Sequence, residues 1–328
     1  MNSKLLDIIV CPKCLGNIEA NITKLNCRTC GMQYNVENGI MNLLLPDDIE
    51  KIKIDEINRQ NGEIEKDNYE YLERQYKNVL IKEIRCLNIS NRSIVLDAGC
   101  GTGFITKFLF DTYIDVECIA MDISYDNLLC MFKSTKNKFK KMPVLLQADW
   151  DNIPIKSNAI DYIIVFNSLH HSVSLNTTMK SFFRILKSNG IFISVKELMA
   201  SVFRRQFLQQ RYIEIGKRTG GIETMPSYEN YRDAVQSAGF SIVSIKTCEI
   251  NYEKFVVIGK YNMNGGIHDY KKLGLDNLIK KKRIYFEIRR IVFKIFNKLL
   301  GQNMCKKIMF CCQRYITPLY GITIIAKK

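Results

Sequence analysis

Four cysteines stand near the start of the chain in two matched pairs, Cys11-Pro12-Lys13-Cys14 and Cys27-Arg28-Thr29-Cys30. Two residues between thiols let a tight turn aim both sulfurs at one point. Two such turns complete a closed four-thiolate site suited to Zn²⁺. With no coordination position left open, the metal would be structural and would replace a core that residues 1–45 are too few to build. Buried or redox-active cysteines are the alternative for the same four residues.

A second constellation is Ile94-Val95-Leu96-Asp97-Ala98-Gly99-Cys100-Gly101-Thr102-Gly103, an apolar strand ending in an acid and a glycine-rich turn, with a helix opening near Phe104. Glycines let a ligand approach the backbone with no Cβ in the way. A dinucleotide site is the rival reading, but the turn lacks the G-x-G-x-x-G spacing that fits a pyrophosphate. Asp97 would also repel a phosphate, whereas it suits an ammonium- or sulfonium-bearing ligand. Further acids close later apolar runs: Cys118-Ile119-Ala120-Met121 leads into Asp122, and Val144-Leu145-Leu146-Gln147-Ala148 leads into Asp149-Trp150. A fourth run, residues 161–166, leads into Asn167-Ser168-Leu169-His170-His171.

Together these segments resemble the class I S-adenosylmethionine-dependent methyltransferases over residues 71–196 and again from about Tyr228. The resemblance implies that Asp97, Gly99, Gly101 and Gly103 line the S-adenosylmethionine site and that Asp122 binds both ribose hydroxyls. It also implies that Asp149 accepts from the adenine amino group, that Ile123 or Trp150 flanks the ring, and that Asn167 opens the loop facing cofactor and substrate. Asp122 could instead cap the helix that follows it. Trp150, the single tryptophan, could be core packing. His170 and His171, two of three histidines, fall just past the fourth strand, at the carboxyl-end crevice where open α/β sheets bind ligands. Either could act as a base near neutral pH, His171 being the first candidate, or could merely pack or orient the loop.

The loop Phe166-Asn167-Ser168-Leu169 lacks the paired prolines of enzymes that methylate exocyclic amines. Its Leu-His-His form resembles the branch that methylates oxygen, nitrogen or carbon on metabolites, lipids and sugars. The expected acceptor is therefore a small molecule or a lipid- or saccharide-linked one. RNA is the leading rival, and a non-catalytic scaffold is a third reading that the intact glycine turn opposes. Residues 5–40 resemble the zinc ribbon of methyltransferase-activator subunits, which implies a supporting role. Some bacterial ribosomal-RNA guanine methyltransferases share the layout but place His where this chain has Cys30.

These residues need elements to position them. Strand-like runs at 93–97, 116–121, 143–148, 160–166 and 190–195 alternate with helical patterns at 103–111, 125–139 and 175–187. Alternation of this kind predicts an α/β, doubly wound, mostly parallel seven-stranded sheet of the Rossmann-like class I type. A helix over 71–87, a polar stretch over 198–225, and a helix and strand at 228–238 and 240–248 complete the pattern. Residues 320–327 read as an antiparallel last strand, in competition with Phe255-Val256-Val257-Ile258. The expected organisation is a zinc ribbon (1–45), a linker (46–68), a cofactor-binding domain (69–260), and a basic helical segment with the last strand (261–328).

An apolar content of 47% with 25% charged residues is globular composition, which sets aside disordered and collagen-like chains. No apolar run reaches the length of a membrane span. Twelve cysteines and a short apolar N-terminal run that stops at Cys11-Pro12 suggest a cytoplasmic chain with reduced thiols. The net charge of +15 is concentrated: residues 260–328 carry 16 Lys/Arg against 3 Asp/Glu. Within it, residues 277–300 form a cationic amphipathic pattern that could lie on an anionic membrane surface or pack as a lid with its charges in solvent.

Overall fold

The computed structural model describes residues 3–21, 23–45, 87–138, 141–200, 224–247 and 319–328, with a few positions inside 78–85, 206–214 and 295–304. A single helical turn, α1 (Ser3–Leu6), precedes four short strands: β1 (Ile18–Ala20), β2 (Lys24–Cys27), β3 (Gln33–Glu37) and β4 (Ile40–Asn42). These pair antiparallel in chain order. The alternation then begins: β5 (Ile94–Ala98), α2 (Phe104–Thr112), β6 (Glu117–Asp122), α3 (Tyr125–Lys138), β7 (Val144–Gln147) and β8 (Ile160–Phe166). It continues through α4 (Leu175–Ile185), β9 (Leu186–Met199), α5 (Tyr228–Ser237), β10 (Ser241–Thr247) and β11 (Leu319–Lys327).

The strands order as β1-β2-β3-β4-β7-β6-β5-β8-β9-β11-β10. The centre, from β4 to β9, is parallel, and both flanks are antiparallel. Central strands read as unbroken apolar runs because both faces are covered. Alternate residues divide between the faces: Ala120 and Leu145 pack with Leu128 and Met131 of α3, while Ile119, Met121, Val144 and Leu146 join the larger core containing Phe182 of α4. Local signals set the helix starts. Ser174 Oγ accepts from Thr177 N at 3.3 Å, and Ser227 and Asn230 form a reciprocal capping box.

The expected count of seven strands is corrected here. The sheet has eleven, because the ribbon is built into it instead of hanging from it. Strand β4 runs parallel to β7 with Ile40 opposite Leu145 and Asn42 opposite Gln147. Upstream, Val10 N donates to Pro154 O and Lys156 N donates to Ile8 O, each at 2.9 Å. Leu5, Ile9, Leu25, Tyr34, Met41 and Leu43 share one core with the central strands. A segment too small to bury a core of its own borrows one. The sheet is accordingly mixed, where a mostly parallel one was expected.

Residues Met1–Cys248 with Pro318–Lys328 form one compact unit and Glu249–Thr317 another. The last strand is β11, which inserts antiparallel between β9 and β10. Phe255-Val256-Val257-Ile258, the linker 46–68, most of the polar stretch 198–225 and most of the basic pattern 277–300 lie outside the described residues. Ile295, Lys298 and Leu299 are helical, as are residues 83–85 of the expected 71–87 helix. Among the described residues, no helix is long and apolar enough to cross a membrane.

Phe182 is fully buried between Trp150 (6.0 Å between ring centroids) and Phe192 (5.6 Å), so it ties α4 to the sheet under the turn that follows β7. Replacing it with Ala should cost about 3–5 kcal/mol through lost burial and a residual cavity. Urea unfolding monitored by circular dichroism would read this as a lower midpoint at unchanged slope.

Candidate active site and metal centre

The strand order reverses between β5 and β8, and open α/β sheets bind ligands at such a switch point, beyond the strands' carboxyl ends. After β5 the chain turns through Gly99, Gly101 and Gly103 with φ of 74°, 52° and 92°. These are left-handed conformations that cost an L side chain about 1 kcal/mol or more each. At Gly99 a Cβ would also lie 2.8 Å from Trp150 and 3.0 Å from Ser168, whereas at Gly101 it would meet nothing within 4 Å. The turn is thus packed on one side and open on the other.

Two carboxylates secure it. Asp97 is fully buried, and its Oδ2 accepts from Thr106 N at 3.0 Å and Thr106 Oγ1 at 2.7 Å. Its Oδ1 is buried with no hydrogen-bond partner among the described residues. Burial pushes the carboxyl up to about 7; the Thr106 bonds pull it down and Asp122 adds a push upward. Asp122 Oδ2 accepts from Gly101 N at 2.8 Å, while Oδ1 accepts from Ser124 N at 2.9 Å at the start of α3. Asp122 thus joins the glycine turn to the residue that opens α3, and it is the Ser124 hydroxyl that caps the helix by accepting from Asn127 N at 3.2 Å.

Beyond β7, Asp149 caps a short 3-10 turn, Trp150–Asn152, by accepting from Asp151 N at 3.1 Å. Trp150 is half-buried, and it wedges between Gly99 and Phe182. Gln147 Nε2 donates to Ile123 O at 3.0 Å, which fixes the residue after Asp122. Asp122, Ile123, Asp149 and Trp150 thus border one region. Beyond β8, Asn167 is left-handed (φ 50°), and Ser168 Oγ lies 3.5 Å from Gly99 O, so this loop forms the second wall.

His170 is buried and His171 half-buried, with rings 4.2 Å apart. His170 Nδ1 lies 3.1 Å from Oε2 of Glu197, a wholly buried residue of β9. Burial alone would push that carboxyl up. The His170 imidazole, the Ser194 hydroxyl and the Leu169 amide outweigh it and hold Glu197 below the ordinary carboxylate range. The loop also docks to Thr224, whose N–H donates to His170 O at 3.2 Å and whose hydroxyl bonds the same oxygen.

In the ribbon, the sulfurs of Cys11, Cys14, Cys27 and Cys30 all lie within 4.8 Å of one another. Cys11 and Cys30 are 3.6 Å apart, and Cys14 and Cys27 are 3.5 Å apart. Sulfurs at the corners of a zinc tetrahedron with 2.3 Å bonds are separated by about 3.8 Å, so the cluster fits that ion. The two turns are closed by the same bond, Leu15 N to Cys11 O at 2.8 Å and Gly31 N to Cys27 O at 3.1 Å. The Tyr34 hydroxyl sits within hydrogen-bond distance of Cys11 Sγ, at 3.0 Å, and burial raises its pKa.

Residues 96–194 match the family model described as Methyltransferase domain. The chain carries a class I S-adenosylmethionine-dependent methyltransferase domain. Among similar proteins, a malonyl-[acyl-carrier protein] O-methyltransferase of Legionella pneumophila is 30% identical over 139 residues, which cover 40% of this chain and 48% of the relative. The match therefore spans about half the length of that relative. A protein of the same name from Acetivibrio thermocellus is 22% identical over 75% of this chain and 86% of its own. A sterol 24-C-methyltransferase of Schizosaccharomyces pombe is 25% identical over 48% of this chain and 42% of its own. In fold, the chain resembles a cyclopropane synthase from Mycobacterium tuberculosis, with a TM-score of 0.51, 12% identity, and 86% and 95% of the two chains covered.

The methyltransferase domain's own residues fit the cofactor of this class. Oδ1 of Asp97, which has no partner among the described residues, is a buried acceptor suited to a cationic donor, and the open side of Gly101 leaves room for one. Sequence reading missed Glu197, Thr106, Ser168, Gln147 and Thr224. For Glu197 a signal was present: like Asp97 it is an acid near the carboxyl end of an apolar strand, but the expected strand stopped at residue 195.

Because Asp97 has a higher pKa folded than unfolded, the free domain holds an extra proton between about pH 4 and 7. The group's contribution to stability is full below that window and lost as pH rises through it. A cationic ligand requires the ionised form. Affinity for S-adenosylmethionine should therefore rise with pH up to about 7, by at most tenfold per pH unit, and then level off. Asp97→Asn should weaken binding and abolish the slope. Calorimetric titration across this range would decide it, and a flat profile for the unmodified protein would contradict the assignment.

Proposed function

We propose that the protein transfers the methyl group of S-adenosylmethionine to a small-molecule or lipid-linked acceptor, and that a structural zinc ion braces its N-terminal ribbon. The observation that carries this reading is the meeting of an open glycine turn with a proline-free histidine loop at the switch point of the sheet. The relatives' names, malonyl-carrier and sterol methyltransferases, favour small or lipid-type acceptors over nucleic acid. Saccharide-linked acceptors share the same chemistry of exposed hydroxyls and stay within the proposal.

When bound, the cofactor supplies an electrophilic methyl group on a sulfonium. The protein's task is then alignment and exclusion of water. In this reading Asp97 and the turn of Gly99, Gly101 and Gly103 hold the cationic end, and Asp122 takes the ribose hydroxyls. Ile123, Asp149 and Trp150 hold the adenine, and Asn167 shapes the wall between cofactor and acceptor. His171, the more exposed of the adjacent pair, takes the acceptor's proton where the nucleophile arrives protonated.

Cys11, Cys14, Cys27 and Cys30 would hold zinc, with Tyr34 donating to Cys11 Sγ. Ribbon strand β4 and the Val10–Pro154 bond flank the segment bearing Gln147, Asp149 and Trp150, which suits a supporting role. The cationic amphipathic pattern 277–300 suits an anionic membrane surface, where a lipid-linked acceptor would reside. Ile295 and Leu299, one helical turn apart, are 52% and 74% exposed.

Incubation with methyl-labelled S-adenosylmethionine and separate lipid, small-metabolite and RNA fractions should place label in an organic-soluble or small-metabolite product. Label confined to RNA would overturn the acceptor class, and cofactor binding without any transfer would favour a scaffold. Cys14→Ser should abolish stoichiometric zinc in elemental analysis and lower the melting temperature. Unaltered zinc content would count against the four-cysteine site.

A further inference from the structure

Glu197 has an unusual setting for a carboxylate. It lies in β9 beside Lys196, which is left-handed (φ 65°) and forms the extra residue where Ile322 pairs with Glu197 but Thr323 pairs with Val195. In a plain strand, residues 194 and 197 would face opposite sides of the sheet. The bulge returns them to one side, and Ser194 Oγ donates to Glu197 Oε1 at 2.7 Å. Oε1 also accepts from the amides of Ser168 and Leu169, each at 3.1 Å. Oε2 accepts from His170 N at 3.3 Å and faces His170 Nδ1 at 3.1 Å. The carboxylate is thus bonded to three consecutive amides of the loop, one hydroxyl and one imidazole, with no solvent contact.

We propose that Glu197 is the positioning residue of the methyl-transfer site, fixing the Nδ1–H tautomer of His170 and, through the loop amides, the placement of His171. An ionised carboxylate only accepts, so the imidazole nitrogen facing it must carry a proton and Nε2 becomes the basic nitrogen of that ring. The His170 ring, so held, lies against the His171 ring, with centroids 4.2 Å apart and planes tilted by 41°. The three amides set the path of the loop from Ser168, beside Gly99, to His170. A bulged residue held left-handed is strained, and it persists where surrounding bonds over-determine it. The proposal rests on the methyltransferase reading for its kinetic consequence but not for its structural one.

Glutamine at this position offers one accepting oxygen in place of two, so the donors on the other oxygen lose their partner. In Glu197→Gln, amide hydrogen exchange should accelerate at least tenfold relative to β8 either at His170 or at Ser168 and Leu169, according to which oxygen the side-chain NH2 replaces. The methyl-transfer kcat should fall at least tenfold while the Kd for S-adenosylmethionine changes less than threefold. Exchange as slow as in the unmodified protein, or a loss of cofactor affinity as large as the loss of kcat, would overturn the proposal. Should the variant not fold, the unmodified protein still decides. Imidazole ¹⁵N shifts, at a pH where the ring is neutral, should show His170 protonated at Nδ1, and the Nε2–H tautomer would overturn the proposal. Both structural readouts need no acceptor. Their success alongside absent methyl transfer would count against the enzymatic reading and leave the role of Glu197 intact.

Discussion

Burying a carboxylate is costly unless something compensates it, and three of them lie at or near the carboxyl ends of strands: Asp97 on β5, Asp122 on β6 and Glu197 on β9. Each is compensated differently, and the differences divide the site into parts. Glu197 is saturated by the protein's own donors and falls below the usual carboxylate range. Asp122 spends its oxygens on backbone amides that shape the glycine turn and start α3. Asp97 is compensated on one oxygen only and is pushed up to about 7. The least satisfied acid is the one with most to gain from a cationic ligand. The most satisfied acid holds the opposite wall still.

The four N-terminal strands are tied into the sheet without approaching its switch point. Strand pairing between β4 and β7 uses backbone groups alone, so it places few demands on side chains, and the shared core does the rest. The contact falls on the strand that leads to Asp149 and Trp150, and Val10 and Lys156 fasten the far end of the same excursion. An edge strand left open would invite pairing with another chain. Here the open edge is moved outward to β1, a strand of three residues.

Much of the core was readable in the sequence because apolar runs ended by an acid mark both a strand and its functional end. Residues 94–98, 117–122, 144–147 and 160–166 fall within a residue or so of expectation for that reason. The eleven-stranded sheet was not readable, since parallel pairing between β4 and β7 is carried by backbone hydrogen bonds that leave no periodic signature. Nor was the setting of Glu197. Period-two reasoning assigns residues 194 and 197 to opposite faces, and the bulge at Lys196 reverses that outcome. The roles of His170 and His171 could not be separated by spacing. Burial distinguishes them, putting the inner ring on a carboxylate and leaving the outer ring half-exposed.

Strand β11 lies between β9 and β10, although β10 ends at Thr247 and β11 begins at Leu319. During synthesis, β9 and β10 must therefore wait for the intervening segment before either acquires its permanent neighbour on that side. Pairings so distant in the chain form slowly, and meanwhile the nascent protein presents two unsatisfied edges around a strand-wide gap. A ribosome stall or a cut in the intervening segment would leave a species open to capture by any extended peptide, its own later copies included.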